Sequence, residues 1–345
     1  MDILITGATG FLGNCLTEKL VHQNGAGTII TTGRNPERGK HLSALGTRFI
    51  PGDLRDSAFV EKLGTDITAI VHCAALSAPW GSYQTFYEQN VLTTRNLLKL
   101  VIQNRVERFV YVSSPSVYAT LANRLNVRED NPLPDPFLNA YAQTKYESEQ
   151  LIINQLTQQN IPYVIIRPRA LIGAGDTVIM PRLLDAQARN RLFVVGDGQN
   201  VCDLTCVGNV ADAIAFALTV TGPALNQTYN ITNGEPVRLY EQIEQVCRLL
   251  GRPFVRRTMP YALARTVATV LENVGPLFNK EPTLTRYTLS LLAFSMTLDI
   301  TRARTLLGYV PRQTTAEGIE EFVKAWPGSG GSSGGLPPLP SLPKI

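Results

Sequence analysis

Short apolar runs alternate with amphipathic segments along the first half of the chain. The apolar runs are hydrophobic at almost every position, which is typical of strands buried on both faces of a sheet. They cover 3–6, 28–32, 47–50, 67–73, 108–113 and 163–167, and the amphipathic segments between them cover 13–22, 57–63, 90–104 and 141–158. This alternation predicts an α/β fold built on a doubly wound parallel sheet with right-handed crossovers.

The pattern changes from residue 169 onward. Loops rich in glycine and aspartate precede helical segments at 208–220, 238–250, 260–274, 283–294 and 315–325, and a run at 228–232 predicts a late strand that returns to the sheet. We therefore expect a sheet domain over 1–168 and a smaller C-terminal lobe over most of 169–326. Residues 327–345 are rich in Gly, Ser and Pro and predict a flexible tail without a core, either an artificial linker or a native extension.

The composition fits a globular protein and excludes several other classes. The 345 residues are 44% hydrophobic and 17% charged, which provides a core and excludes general disorder. Lys and Arg number 32 against 28 Asp and Glu, so the net charge is +4. The sequence has no basic block, and we expect no nucleic-acid partner. It also has neither an apolar run of spanning length nor a secretory signal, so we expect a cytoplasmic protein.

The cysteines and histidines are dispersed, and we expect no metal site. Cys202 and Cys206 are four residues apart, but no histidine and no second cysteine pair lies near them in sequence. Scattered thiols in a cytosolic context are expected to stay reduced. His72 lies in an apolar run, where a hydrogen-bonded core histidine is more common than a ligand.

A glycine-rich turn follows the first strand directly. Its sequence, TGATGFLG over 6–13, places glycines three residues apart and leads into a helix. Such a turn lets the backbone approach a pyrophosphate at the positive N-terminus of the helix, so we predict a Rossmann-like dinucleotide site. The residues expected to contact the cofactor here are Gly7, Thr9, Gly10, Phe11, Leu12 and Gly13. This GxxGxxG form resembles that of the extended short-chain dehydrogenase/reductase superfamily.

The end of the second strand favours NADP(H) over NAD(H). NAD enzymes tend to place an acidic residue there for the ribose 2′-hydroxyl, whereas this sequence continues with Arg34 and has no acid. A guanidinium suits a 2′-phosphate, and Arg38 lies nearby in sequence. A solvated loop cation is the alternative interpretation of Arg34.

The same resemblance implies further cofactor contacts. Asp53 and Leu54 occupy the positions of the superfamily's adenine contact. Ala74 and Ala75 match the small-residue turn that passes the phosphate and ribose.

A YxxxK motif formed by Tyr141 and Lys145 supplies the candidate chemistry. Residues four apart lie on one helix face, and both are expected to contact the cofactor, Lys145 by a hydrogen bond to the nicotinamide ribose. The pKa of a tyrosine hydroxyl, about 10, is high for a general base at neutral pH, and an ammonium beside it is expected to lower that pKa. Ser114 ends a strand and matches the superfamily's catalytic serine. An ordinary helix tyrosine is the alternative interpretation of Tyr141.

The resemblance extends over about 1–326. It implies that Asn90 contacts the cofactor and supports the sheet and the proton relay, and that a turn at Pro168 and Arg169 places main chain against the nicotinamide. The segments DLTCVGNVADA (203–213) and LGYVP (307–311) resemble one branch of the superfamily. That branch contains the 3β-hydroxysteroid dehydrogenases, the sterol 4-carboxylate dehydrogenases and the bacterial 2-alkyl-3-oxoalkanoate reductases. The lobe over 169–326 is then expected to bind the substrate.

Single positions of the sequence also indicate whether the protein catalyses a related reaction. Sugar-nucleotide dehydratases follow the catalytic hydroxyl with an Asp-Glu pair, but Pro115 and Ser116 follow Ser114 here. Sugar-nucleotide epimerases usually bind the diphosphate with an Arg at the position of Cys202, and compensation by Arg182, Arg189 or Arg191 is the alternative. We therefore predict an NADP-dependent oxidoreductase that interconverts a hydroxyl and a ketone on a 3β-hydroxysteroid-like or β-keto acid-like substrate. A nucleotide-sugar epimerase and a non-catalytic dinucleotide sensor are the alternatives.

The segment 259–278 is rich in apolar residues. It is expected to cap a pocket for a lipophilic substrate, to rest on a membrane surface, or simply to pack as a helix. The sequence leaves these three interpretations open. It also leaves open whether the protein forms a homodimer.

Overall fold

The computed structural model describes residues 1–23, 27–64, 66–278 and 281–327. The predicted tail lies outside the described residues from 328 onward. The strands, in chain order, are β1 (Ile3–Thr6), β2 (Ile29–Gly33), β3 (Arg48–Pro51), β4 (Ala69–His72), β5 (Arg108–Val112), β6 (Arg124–Val127), β7 (Tyr163–Pro168), β8 (Leu171–Ile172), β9 (Val194–Val195), β10 (Val201–Cys202), β11 (Thr205–Cys206), β12 (Gln227–Ile231), β13 (Val237–Arg238), β14 (Thr258–Met259) and β15 (Met296–Leu298).

The helices surround these strands. In chain order they are α1 (Phe11–Gln23), α2 (Pro36–Ala44), α3 (Ser57–Glu61), α4 (Tyr83–Phe86), α5 (Thr93–Asn104), α6 (Ala140–Gln158), α7 (Ile179–Ala188), α8 (Val207–Thr219), α9 (Leu239–Leu249), α10 (Tyr261–Phe278), α11 (Arg286–Ala293) and α12 (Thr315–Ala325). Two π-helical turns (Tyr87–Leu92 and Ala303–Leu307) and two 3₁₀ turns (Pro115–Tyr118 and Gly222–Ala224) complete the description.

Seven strands form one parallel sheet in the order β12-β7-β5-β4-β1-β2-β3. The chain winds outward in both directions from β1, so the predicted doubly wound, Rossmann-like α/β fold is confirmed. The seven apolar runs agree with these strands to within two residues at each end. In such a sheet, ligands bind beyond the carboxyl ends of the strands where the winding direction reverses, here between β1 and β4.

Both faces of the sheet are buried, which explains the nearly continuous hydrophobic runs. Ile3 and Ile5 point to one face and pack in a cluster with residues of α1 and α8. Leu4 points to the opposite face and packs in a cluster with residues of α5 and α6. Successive residues of a strand point to opposite faces, so both faces require apolar side chains. Helix α8 and strand β12 come from the second half of the chain. Strand β12 completes the sheet beside β7, and α8 covers the face of Ile3 and Ile5.

His72 is a hydrogen-bonded core histidine, as predicted. Its Nδ1 lies 2.7 Å from the Thr6 hydroxyl, and its Nε2 lies 3.1 Å from the Thr94 hydroxyl. The side chain is fully buried, and burial lowers its pKa to about 3. It therefore stays neutral and joins β1 and β4 to the helical layer.

The sequence pattern missed α2, α7 and the beginning of the helix before α5. Helix α2 is short and mainly polar, so its periodicity is weak, yet Asn35 caps it by accepting from the Arg38 amide at 3.1 Å, and Pro36 follows at the first helical position. The helix predicted from residue 90 begins earlier, as α4 continues through the π-helical turn into α5. The two-residue strands of the C-terminal half are too short to leave a periodic signal.

The C-terminal lobe has its own small sheet and core. Its four strands run in the order β13-β10-β15-β6, so β6 from the first half of the chain joins it. Residues of α7, α9 and α12 build one apolar cluster, and residues of α10 and α11 build another. Within the described ranges, no helix is long and apolar enough to cross a membrane.

Candidate active site

A cleft of about 200 Å³ opens at the carboxyl ends of β1, β2 and β4, the position expected for a dinucleotide. It is lined by Gly7, Thr9, Gly10, Thr32, Gly33, Arg34, Gly52, Asp53, Leu54, Cys73, Ala74, Ala75, Gln89 and Thr93. Eight of the predicted cofactor contacts are in this lining, namely Gly7, Thr9, Gly10, Arg34, Asp53, Leu54, Ala74 and Ala75. The other predicted contacts, Phe11, Leu12, Gly13, Asn90, Tyr141, Lys145, Pro168 and Arg169, lie outside it, and their contact with a cofactor stays a prediction.

The glycines of this cleft are required by close backbone approaches. A Cβ on Gly7, whose φ is +67°, would lie 2.6 Å from the Ala74 amide nitrogen. A Cβ on Gly13 would lie 2.3 Å from the Gly7 carbonyl oxygen. Backbone therefore packs on backbone and leaves the loop open above the N-terminus of α1, which suits the pyrophosphate of a dinucleotide. The residues present fit the cofactor that the sequence implies.

Charged groups surround the far end of the cleft. Arg34 donates from Nη1 to the Gln89 side-chain oxygen at 3.1 Å, and Arg38 donates from Nη1 to the Thr9 carbonyl at 3.4 Å. Asp53 is the acidic residue in the lining of the described cleft, and Arg55 occupies its carboxylate with contacts of 2.7 and 3.0 Å. Hydrogen bonding to Arg55 lowers the pKa of Asp53 and keeps it ionised.

Gln89 and Thr93 line the cleft, and the sequence analysis did not identify them. They are four residues apart and share one helix face. The π-helical turn Tyr87–Leu92 contains Gln89 beside Asn90, and such turns are frequent at functional sites. The sequence signal that could have identified Gln89 and Thr93 was their spacing from Asn90, since one precedes it directly and the other follows it by three residues.

Asn90 connects the loop after β4 to α6. Its side-chain oxygen accepts from the Leu76 amide at 2.8 Å, and its side-chain nitrogen donates to the Thr144 hydroxyl at 3.1 Å. Because Thr144 lies between the two motif residues of α6, Asn90 fixes that helix against the sheet. The supporting role that the resemblance implied for Asn90 stays a prediction.

Tyr141 lies in the first turn of α6, which is capped by the Asn139 side chain accepting from the Ala142 amide at 2.9 Å. It is buried and packs on Phe86 with ring centroids 6.1 Å apart. Burial raises the pKa of Tyr141, and hydrogen bonds with Ser114 and Ser77 partly oppose that rise. The structure thus brings Tyr141 and Ser114 together, and it adds Ser77, which the sequence analysis did not identify.

Lys145 is buried one turn further along α6. Its Nζ donates to the Val112 carbonyl at 2.6 Å and lies 4.2 Å from the Tyr111 ring centroid. Burial lowers the pKa of Lys145 to about 7, although Glu149 acts in the opposite direction. The expectation that this ammonium lowers the pKa of Tyr141 is wrong for this structure, because the ammonium is bound to Val112 and burial dominates at Tyr141.

A buried ion pair lies behind these residues. Arg167 on β7 donates from Nε to the Glu149 carboxylate of α6 at 2.8 Å, and its Nη1 donates to the Tyr118 hydroxyl. Ser113 donates to the same carboxylate. Breaking one partner of such a pair is costly, so the network holds α6 and the ends of β5 and β7 in one arrangement.

Comparisons with known proteins identify relatives that cover most of the chain. The sequence profile of the NAD dependent epimerase/dehydratase family matches residues 3–232. The 2-alkyl-3-oxoalkanoate reductase of Stenotrophomonas maltophilia (strain K279a) is 32% identical in an alignment of 329 positions that covers 93% of this chain and 98% of the relative. The 3beta-hydroxysteroid-dehydrogenase/decarboxylase isoform 1 of Arabidopsis thaliana is 31% identical in an alignment of 348 positions that covers 94% of this chain and 79% of the relative.

A solved structure shares the fold. The UDP-glucuronic acid 4-epimerase from Bacillus cereus, in complex with NAD, matches with a TM-score of 0.72 at 22% identity, covering 94% of this chain and 98% of the epimerase. The family profile and the curated relatives together identify an NAD(P)-dependent dehydrogenase or reductase that acts on CH–OH groups. The chain belongs to the NAD dependent epimerase/dehydratase family, on the branch of extended short-chain dehydrogenases/reductases that the sequence resembles.

Proposed function

We propose that this oxidoreductase interconverts a hydroxyl and a ketone on a lipophilic substrate, a β-keto acid or a 3β-hydroxysteroid, with NADP(H) preferred over NAD(H). The observation that carries the reaction is the buried Tyr141 hydroxyl beside Ser114 at the carboxyl edge of the sheet. The two curated relatives named above, one acting on 2-alkyl-3-oxoalkanoates and one on 3β-hydroxysteroids, support the substrate class.

Tyr141 is the proton donor to the alkoxide that develops during reduction. Because burial raises its pKa, the hydroxyl is protonated at neutral pH and ready to donate. Ser114 holds the substrate oxygen by a hydrogen bond, and Lys145 holds the nicotinamide ribose. The nicotinamide supplies the hydride when bound, and the protein supplies orientation and electrostatics.

The position at which sugar-nucleotide epimerases usually carry an arginine is uncharged in this chain. Cys202 is buried, and burial raises the pKa of its thiol to about 12, so the thiol is uncharged at neutral pH. The missing cation at this position argues against the diphosphate of a nucleotide sugar, and the two relatives named above favour an alkyl or steroid group.

A series of ketones of increasing alkyl length tests the substrate class. We expect kcat/KM to rise by up to about fourfold per methylene, since burying one methylene gains about 0.8 kcal/mol. UDP and dTDP sugars should be neither bound nor turned over. Binding of a nucleotide sugar in calorimetry, together with a rate that does not depend on alkyl length, would instead favour the epimerase.

The preference for NADP(H) is supported by Arg34 at the rim of the cleft. Its guanidinium makes one hydrogen bond, to Gln89, and Asp53 is occupied by Arg55. The acidic side chain in the described lining is therefore already paired with an arginine, whereas Arg34 offers a guanidinium to a 2′-phosphate.

Contact of the segment 259–278 with a membrane surface is also proposed, from one face of α10. Leu263, Val270 and Val274 are 53%, 54% and 37% exposed and recur at helical spacing. The native protein should co-sediment with anionic lipid vesicles, and the double variant Leu263→Asp, Val270→Asp should not. Equal behaviour of the two proteins would show that this face does not bind lipid.

A further inference from the structure

Glu149 is a buried carboxylate that the proposed mechanism does not use. It lies on α6, four residues after Lys145 and eight after Tyr141, and it is 1% exposed. Arg167 of β7 holds it in a bidentate ion pair, donating from Nε at 2.8 Å and also from Nη2. A buried ion pair is weak evidence for a gain in stability. The placement of this one, on the helix of both motif residues, points to a role in the reaction.

Glu149 also holds the strand end that carries Ser114. The Ser113 hydroxyl donates to Oε1 of Glu149, and the Ser113 amide donates to the Ile166 carbonyl of β7 at 2.7 Å. Ser114 is the next residue, and its Oγ accepts from the Ser116 amide at 3.2 Å. Because the main chain before Ser114 is fixed through Ser113, the position of the Ser114 hydroxyl depends on the Glu149 carboxylate.

The same carboxylate lies close to Lys145. The Nζ of Lys145 donates to the Val112 carbonyl at 2.6 Å, and Glu149 accepts from Ser113, the next residue along the chain. Residues four apart also share one helix face. The ammonium and the carboxylate are therefore bound to consecutive residues of one strand end. Burial lowers the pKa of Lys145 to about 7, and the negative charge of Glu149 opposes that decrease.

The other described groups that act on Lys145 are neutral. The centroid of the Tyr111 ring of β5 lies 4.2 Å from its Nζ, and His72 and Cys73 at the end of β4 interact with it electrostatically. Burial raises the pKa of Tyr111 and raises that of Cys73 to about 12, and it lowers the pKa of His72 to about 3. Among these groups, Glu149 is the one that favours the charged form of Lys145 at neutral pH.

We propose that Glu149 is a positioning residue for the reaction: its carboxylate fixes the strand end that carries Ser114 and keeps Lys145 an ammonium where Lys145 binds the cofactor. This inference rests on the proposed oxidoreductase function, which gives Ser114 and Lys145 their roles. A charged donor forms a stronger hydrogen bond than a neutral amine. Loss of the Glu149 charge should therefore weaken cofactor binding in the pH range where only the native lysine is still protonated.

The Kd for NADP⁺, measured by calorimetry as a function of pH, tests the effect on Lys145. Glu149→Gln keeps the shape of the side chain and removes its charge. Near pH 7 its Kd should exceed the native value by about three- to tenfold, and the difference should nearly vanish at about pH 5.5, where both proteins carry the ammonium. In the cofactor-free proteins, the ¹³Cε resonance that Lys145→Met lacks should titrate about one pH unit lower in Glu149→Gln than in the native protein.

Ser113→Ala tests the effect on Ser114, because it removes the hydroxyl and leaves the ion pair of Glu149 with Arg167 in place. With NADPH and the ketone that the native protein reduces fastest, its kcat should fall about tenfold or more, since small displacements of reacting groups are costly. Its Kd for NADP⁺ should stay native. If Glu149→Gln does not fold because Arg167 is left unpaired, the double variant Glu149→Gln, Arg167→Met removes both charges and should show the same pH dependence.

Glu147→Gln is the matched control on the same helix. Glu147 is partly exposed and accepts from the Tyr83 hydroxyl at 2.9 Å. This variant should keep the native kcat, the native Kd for NADP⁺ at each pH and the native titration of Lys145.

The outcomes separate the positioning role from the proposed function. A native protein that neither binds NADP⁺ nor reduces any ketone would overturn the function itself. If the native protein does both, a loss of affinity in Glu149→Gln that is equal at pH 5.5 and pH 7, with Lys145 titrating as in the native protein, would overturn the positioning role alone. Native kcat in Ser113→Ala would overturn it as well.

Discussion

Replacing Tyr141 with phenylalanine should lower kcat by about 10²- to 10⁴-fold, the usual contribution of general acid–base catalysis. The ring that packs on Phe86 stays in place, so the variant should fold and bind NADPH as the native protein does. Only the hydroxyl beside Ser114 and Ser77 is lost. Steady-state turnover and the Kd for NADPH measure the two effects separately.

Tyr83→Phe provides the control for this substitution. Tyr83 lies on α4, is 42% exposed and donates to the Glu147 carboxylate at 2.9 Å, so its hydroxyl is bound to a surface carboxylate and not to Tyr141 or Ser114. This variant should keep native turnover. A folded Tyr141→Phe protein with near-native kcat would contradict the proposed proton donor.

The direction of the Tyr141 pKa shift also predicts how each reaction depends on pH. Reduction requires the protonated hydroxyl, which a raised pKa keeps available at neutral pH and above. Oxidation requires a phenolate, whose fraction grows as the pH rises toward that pKa. Between neutral pH and the pKa of Tyr141, kcat for oxidation by the native enzyme should therefore increase with pH, whereas kcat for reduction should not.

The sheet was predictable because its signal is local. Ile3, Leu4 and Ile5 are all buried since both faces of the sheet are covered, and this leaves an uninterrupted apolar run in the sequence. The glycine spacing was informative for the same reason, because Gly7 and Gly13 have no room for a Cβ in the structure. Features that depend on a residue and its immediate neighbours could therefore be predicted from the sequence alone.

The electrostatics of the site were not predictable, because they depend on tertiary burial. The spacing of Tyr141 and Lys145 indicated a pair, yet burial raises the pKa of the tyrosine, and the lysine is bound to the Val112 carbonyl. Ser77 reaches Tyr141 from a loop 64 positions away in sequence. The Nε of Arg169 is buried and makes no hydrogen bond with any described residue, which the sequence likewise did not indicate, since it shows the arginine but not what surrounds it.

The cofactor preference gives the second large expected effect. Arg34→Ala should weaken NADPH binding by about 1.5–3 kcal/mol, the range for a hydrogen bond to a charged group, which is roughly 10- to 150-fold in Kd. The Kd for NADH should barely change, since NADH carries no 2′-phosphate. The native protein should also bind NADPH more tightly than NADH. Titrations of cofactor fluorescence give all four constants.

Two further variants show whether the effect belongs to this position. Arg38→Ala should weaken NADPH less than Arg34→Ala, because Arg38 donates to the Thr9 carbonyl and is absent from the cleft lining. Arg95→Ala should leave both cofactors unaffected, since Arg95 is an exposed cation that donates to the Tyr87 hydroxyl at 2.7 Å. An equal loss of affinity for NADPH and NADH in Arg34→Ala would show that Arg34 shapes the cleft through Gln89 and does not contact the 2′-phosphate. Tighter binding of NADH by the native protein would reverse the preference, and Arg34 would then be the solvated loop cation.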